Sequence, residues 1–293
     1  MTAADIAVLR EIAPGAQVAP DAAVGPFCVV GPHVRIGAGT RLESRVTVIG
    51  HTTIGRDNVV GAGTVLGAPP QDLKYHGRPT YLIVGDRNRF AANVTAHVGT
   101  EVGGYLTVIG HDNVLMPGAH VAHDCYVDDR VCLGPGVLLA GHIRVMTGAV
   151  IEEMVGVTHF TTIGRYSRVG ARTPVTRDVP PFAFFTSMGY YACPPAVTGP
   201  NEPGIRAALP PDQVEPVARA VRRLFQDDQA LSVKVDQMLA EPDLSAPLRE
   251  LAEFCRRSLD GTYGRFREAY RGKLPPEAAA YLPPELRAEL ARK

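Results

Sequence analysis

The chain has 293 residues, and its 30 Lys and Arg are balanced by 30 Asp and Glu, so it carries no net field to hold a polyanion and no nucleic acid partner is expected. The N-terminal MTAADIAVLREIAPG has no basic segment followed by an apolar run, and no window approaches the roughly 18 uninterrupted apolar residues that a membrane span needs. A cytoplasmic protein without stable membrane insertion is the expectation.

Along the chain, an aliphatic residue returns every sixth position from Val18: Val24, Val30, Ile36, Leu42, Val48, Ile54, Val60 and Leu66. The stretch DLKYHGRPTYLI, residues 72–83, breaks this frame by placing Asp72 and Arg78 where aliphatic residues are due. A second break, GTEVGGYLTV at 99–108, shifts the register by one. The frame then resumes as Ile109, Leu115, Val121, Val127, Leu133, Leu139, Val145, Ile151, Val157, Ile163, Val169 and Val175. A period of six is neither helical nor a plain alternation. It suits one short strand plus a tight corner, with three such units closing a coil of about 18 residues that stacks on the next by parallel-sheet hydrogen bonds. One unit cannot bury its aliphatic residue alone, whereas a stack can.

After DVPPF at 178–182 the hexads stop, and proline pairs at 180, 194 and 210 mark a Pro-rich linker over residues 191–210. The pattern then becomes helical. PDQVEPVARAVRRLFQDD spaces Val214, Val217, Val221 and Leu224 along one stripe, and SAPLRELAEFCRRSL follows Ser245 as an expected N-cap. The expected architecture is therefore mainly β: a parallel coil over residues 1–190, then the linker, then a small α-helical domain over 211–293. Cys28, Cys125, Cys132, Cys193 and Cys255 are scattered, with no C-x-x-C pair, and read as reduced thiols.

The motif HVAHDC at 120–125 is the densest chemistry in the chain. If the frame residue and the residue two before it point inward, then His120, His123, Asp124 and His142 point outward. Eighteen residues on from Asp124 lies His142, which places the pair one above the other at about 4.8 Å. His123 is followed in its own column by Gly141 and His159. A histidine base, an adjacent carboxylate and an exposed glycine amide are the parts an acyl transfer needs. A metal clamp is the competing reading. It is disfavoured because two histidines three apart on a strand face different directions, so no metal is expected.

GAPPQDLKYHGRPTYLIVGDRNRF, DNVLMPGAHVAHDC, LLAGHI and DVPPF together resemble the UDP-N-acetylglucosamine 3-O-acyltransferases of lipid A synthesis, collinearly over about residues 15–205. The resemblance implies a hexapeptide-repeat left-handed parallel β-helix. It implies His123 as general base on the sugar 3-hydroxyl, Asp124 as its partner and Gly141 as the oxyanion amide. Gln71, Asp72, Lys74, His120, His142, His159 and Asn201 would contact substrate, and Ala171 would limit the acyl groove to a chain somewhat shorter than the longest the family accepts. It further implies an acyl donor on acyl carrier protein, a nucleotide-sugar acceptor, a homotrimer and no cofactor.

Departures from the pattern fall in the nucleotide half. His159 replaces a glutamine, Glu152-Glu153 replaces a glycine pair, and HVGT at 97–100 lacks an arginine. In NEPGIRAALPP, Pro203 replaces a glutamate and Ala207 and Ala208 replace two arginines suited to phosphate. Arg165, Arg168, Arg172 or Arg206 would have to supply those contacts. Two other functions stay open: a paralogous acyltransferase with a different (amino)sugar acceptor, and a non-catalytic trimeric scaffold. Residues 264–293 extend past the resemblance and carry no assigned role.

Overall fold

Strands only two residues long, such as Ala23–Val24, Val29–Val30 and Arg35–Ile36, alternate with tight corners along the first part of the chain. Each pairs in parallel with the strand one coil later, Ala23 with Arg41, Val29 with Thr47 and Arg35 with Thr53. The computed structural model describes residues 9–187, 194–226, 228–282, 284 and 287. Cys193 and the rest lie outside the described residues. Among the described residues, the strands assemble into three sheets of eight, eight and ten strands that enclose a triangular prism. The frame residues fill it: Val30, Val48, Ile54, Leu66, Leu115, Val121, Leu133 and Leu139 are all at most 1% exposed. Burying each stabilises the stack by roughly 1.5–3 kcal/mol. Cys28, Cys125, Cys132 and Cys255 are free, as expected.

Corners are made by residues in the left-handed region, and many of them are not glycine: Arg45, Asp57, Asp124, Arg130, His142 and Phe160 all have φ between 55 and 65°. Parallel pairing of coil on coil holds this costly backbone in place. Polar residues also enter the core where they satisfy the ladder. Asn58, Asn88 and Asn113 are fully buried and stacked; Asn58 Oδ1 accepts from Asn88 N–H (2.9 Å), and Asn88 Oδ1 accepts from Asn113 N–H (2.9 Å).

The two frame breaks are loops, as the sequence suggests. Leu66 pairs with Ala96 and Ala96 with Val121, so the extra residues of each coil leave the prism and the ladder resumes beyond them. The expected linker is corrected in part. Ala196–Pro200 is a strand antiparallel to Ala183–Thr186 at the end of the ten-stranded sheet, and Glu202–Ala208 is helix α1. An edge strand tolerates its terminal Pro200 because one side needs no donor.

The helical part follows as α2 (Pro211–Phe225), α3 (Leu231–Leu239) and α4 (Ala246–Asp260). Val217, Val221 and Leu224 are buried as the stripe requires, against Phe182, Ile205, Val235, Met238 and Leu251. Ser245 occupies the N-cap position of α4 with extended backbone, but its side chain makes no cap bond. Past α4, residues 262–280 form short 3-10 turns that fold back onto the coil. No helix among the described residues is long and apolar enough to cross a membrane.

Asn88 also donates to Gly110 O (2.9 Å). Asn88→Ala therefore strands that carbonyl and the Asn113 N–H in the core, and urea denaturation is expected to show a loss of about 1–3 kcal/mol; unchanged stability would contradict the ladder.

Candidate active site

The strand His120–Val121 ends in a corner that carries His123 and Asp124. Both side chains point away from the prism, as expected, yet they are buried: His123 is 8% exposed and Asp124 1%. The second loop covers Asp124. Asp124 accepts hydrogen bonds from the Thr100 N–H (2.8 Å), the Thr100 hydroxyl (2.7 Å) and His123 Nδ1–H (2.8 Å), and its own N–H donates to Thr107 Oγ1 (2.9 Å). A methyl group on Gly99 or Gly103 would overlap the Asp124 carboxylate. The GTEVGG loop is thus a socket for one buried charge, which would be costly without these donors.

With Nδ1 engaged by Asp124, the remaining lone pair of His123 is on Nε2. That ring edge lies against Gly141, where a Cβ would overlap the imidazole, so only glycine leaves room. Gly141 is buried, and its N–H has no acceptor among the described residues. One coil above Asp124, His142 Nδ1 stands 3.8 Å from Asp124 Oδ2, as the column arithmetic requires. The His142 ring meets His123 edge-on at 5.1 Å and stacks flat on Phe160 at 4.4 Å. Burial pushes His142 down to about 4, with Asp124 opposing, so it is neutral near pH 7.

A second histidine group lies beside the first. His97 donates from Nδ1 to Pro69 O (2.7 Å) and accepts at Nε2 from the Gln71 amide (3.1 Å), while His120 Nδ1 is 2.7 Å from Thr95 Oγ1. Burial, reinforced by His97 and His123, pushes His120 down to about 4. The first loop reaches over both groups: Gln71 lies 3.4 Å from His120, and Asp72 places a carboxylate near His123 and His142. Asp72, His123 and His142 hold candidate donor atoms within 4.8 Å of one another, so the set that could hold a metal takes His123 but not His120 from HVAHDC.

The other expected site residues are placed elsewhere or more loosely. Lys74 is exposed on the first loop, its N–H donating to Asp72 Oδ1 (2.9 Å). His159 is exposed beside Phe160. The Ala171 N–H donates to Glu152 (2.9 Å). Asn201 is buried with its amide on Tyr166 O (2.8 Å), which fixes α1 to a corner of the coil. Of the four arginines considered for phosphate, Arg165 is paired with Glu250, Arg168 with Glu152 and Arg206 with Glu202, and Arg172 is exposed. Sequence reasoning passed over Thr100, Gly103, His97 and Phe160 as site residues. The glycine-rich frame break signals the first two, and the histidine of HVGT signals the third.

A model of the bacterial transferase hexapeptide (six repeats) family matches residues 33–68 and 106–141. Among solved structures, the UDP-N-acetylglucosamine acyltransferase LpxA of Bacteroides fragilis 9343 is 29% identical over 86% of this chain and 96% of its own, with a TM-score of 0.79. LpxA of Acinetobacter baumannii is 32% identical over 84% and 94%, with a TM-score of 0.77. The Francisella novicida UDP-N-acetylglucosamine acyltransferase is 26% identical over 85% and 90%, with a TM-score of 0.80. The shared fold makes the prism a left-handed parallel β-helix, as the resemblance implies.

Gly103→Ala is expected to displace Asp124 and lower turnover by roughly ten- to a hundredfold while the far-ultraviolet spectrum stays native; wild-type turnover would remove the socket role. Titration offers a second check. His120 and His142 are depressed to about 4 against an ordinary 6.5, so the unfolded chain binds more protons than the folded one between those values. Their stabilisation is full above about 6.5 and is lost as pH falls toward about 4. Urea denaturation across this range is expected to show a shallower fall for the His120→Gln/His142→Gln variant than for wild type, and equal falls would exclude the linkage.

Proposed function

The chain belongs to the LpxA family of UDP-N-acetylglucosamine acyltransferases, and from that premise we propose that it moves a 3-hydroxyacyl chain from acyl carrier protein to the 3-hydroxyl of UDP-N-acetylglucosamine, the first step of lipid A synthesis. The observation that carries this reading is the His123–Asp124 pair held against Gly141, one coil below a neutral His142. His123 Nε2 takes the proton of the 3-hydroxyl as that oxygen attacks the thioester carbonyl. Asp124 fixes the tautomer and stabilises the imidazolium. The Gly141 N–H faces the developing oxyanion, which a preorganised donor stabilises far more strongly than water would. Collapse breaks the carbon–sulfur bond, and the proton on His123 passes to the departing thiolate of the carrier.

No metal is part of this scheme, because an ion on His123 would take the lone pair that accepts the proton. Gln71, Asp72, Lys74 and His120 would line the acceptor side, and Ala171 would bound the acyl groove. The active form is a cytoplasmic homotrimer, in which a neighbouring subunit completes the pocket around each corner; a single face of the coil is only part of a cavity. A second reading, a related acceptor such as a 3-amino sugar nucleotide or a non-nucleotide glycoside, is favoured by one observation. Helix α1 offers Ala207 and Ala208 where arginines would meet phosphate, and its Arg206 is held by Glu202.

Purified protein assayed with acyl carrier proteins of varied chain length is expected to acylate UDP-N-acetylglucosamine. His123→Ala should then lose roughly 10²- to 10⁴-fold in turnover. Near-normal turnover in that variant would end the base assignment, and acylation of another sugar alone would favour the second reading.

A further inference from the structure

Past α4 the chain runs back along the coil to the corner that carries His142. Asp178 anchors the return: its carboxylate accepts from Ser258 Oγ (3.0 Å) and the Phe266 N–H (2.9 Å), and its own N–H donates to Gly264 O (2.9 Å). Arg267 then enters the wall of the site. It is 3% exposed, forms an ion pair with Glu277, and lies over the Tyr126 ring at 5.4 Å. Its Nε–H donates to the carbonyl oxygen of His142 at 3.1 Å. Four residues on, the Arg271 guanidinium covers the Phe160 ring at 4.4 Å, on which His142 is stacked. Beyond them Ala278 and Leu282 bury against Tyr105, Leu106, Val108 and Tyr126.

A guanidinium is buried at a net cost unless its charge and donors are met, and Glu277, the His142 carbonyl and the faces of Tyr126 and Tyr270 meet those of Arg267. The coil does not need it. The parallel pairing Tyr126–Arg144–Thr162 runs through this region unbroken, and the His142 carbonyl accepts no backbone hydrogen bond among the described residues. That carbonyl belongs to a residue at φ +65°, beside a glycine; the His142 N–H donates to His123 O (3.1 Å) and the Phe160 N–H to Gly141 O (3.3 Å), so the His142 carbonyl is the acceptor of this corner that the ladder leaves open.

We propose that Arg267 is a positioning residue of the acyl-transfer site: its bond to the His142 carbonyl, seconded by Arg271 on Phe160, fixes the Gly141–His142 corner relative to His123 and Asp124. The segment 265–282 is thereby a working part of the site, supplied from the far end of the chain. Both the Gly141 N–H and the His142 ring depend on the height of this one corner. A displacement of about 1 Å there is enough to cost up to a hundredfold in rate.

The inference rests on the acyl-transfer reading, and the test separates the two. In the full-length protein, Arg267→Gln is expected to lower kcat about ten- to a hundredfold with KM for UDP-N-acetylglucosamine within about twofold, and Arg267→Lys to recover part of the loss. In the substrate-free protein, the His142 imidazole resonances are expected to move in Arg267→Gln while the circular dichroism melt stays cooperative. Unchanged kcat and unchanged His142 resonances would overturn the proposal, as would a kcat loss that only follows the fraction folded. If the wild-type protein acylates no UDP-N-acetylglucosamine, the acceptor reading fails on that result, and the His142 resonances alone decide the role of Arg267.

Discussion

Parallel pairing of each coil with the next is the constraint from which the rest of the molecule follows. A two-residue strand cannot hold itself, so every aliphatic frame residue depends on the coil above and below. That dependence fixes the column geometry, setting Asp124 under His142 and His123 under Gly141. It also forbids inserted residues from staying in the prism. The extra residues between Leu66 and Ala96, and between Ala96 and Val121, have to leave as loops, and both loops close over the same corner.

The loops turn a surface motif into a buried one. Asp124 at 1% exposure is tolerable only because Thr100 and His123 supply three donors, and the third of these commits His123 Nδ1 to the carboxylate. The chemistry therefore rests on two levels of structure at once. The ladder sets which residues share a column, and the loops set which of them lose water. Neutral His120 and His142 follow from the second level, since burial is the first cause of both depressed values.

Much of this was legible in the sequence because the period of six is strict. The frame gave the prism, its two interruptions gave the loops, and simple counting put His142 above Asp124. What counting could not reach was any contact made across a long separation. The burial of Asp124 depends on Thr100 and Gly103 folding over it, which a register shift announces but does not describe. The stretch 191–210 carries enough proline to read as linker, yet Asn201 bonds Tyr166 O and draws α1 onto the coil. Arg267 has no local signal: it sits in a polar stretch at the chain end, and only a return of that stretch by way of Asp178 brings it to His142.

The left-handed corners have a further meaning for how such a scaffold acquires chemistry. Arg45, Asp57 and Arg130 hold the same backbone conformation as Asp124, His142 and Phe160, although none of the first three belongs to the site. The strain that elsewhere marks a specialised residue is here a property shared by many turns of the coil. Placing a catalytic side chain on a corner thus adds no new distortion to the main chain. Any rung could in principle host a reaction, and the one that does is distinguished by what the rest of the polypeptide folds over it.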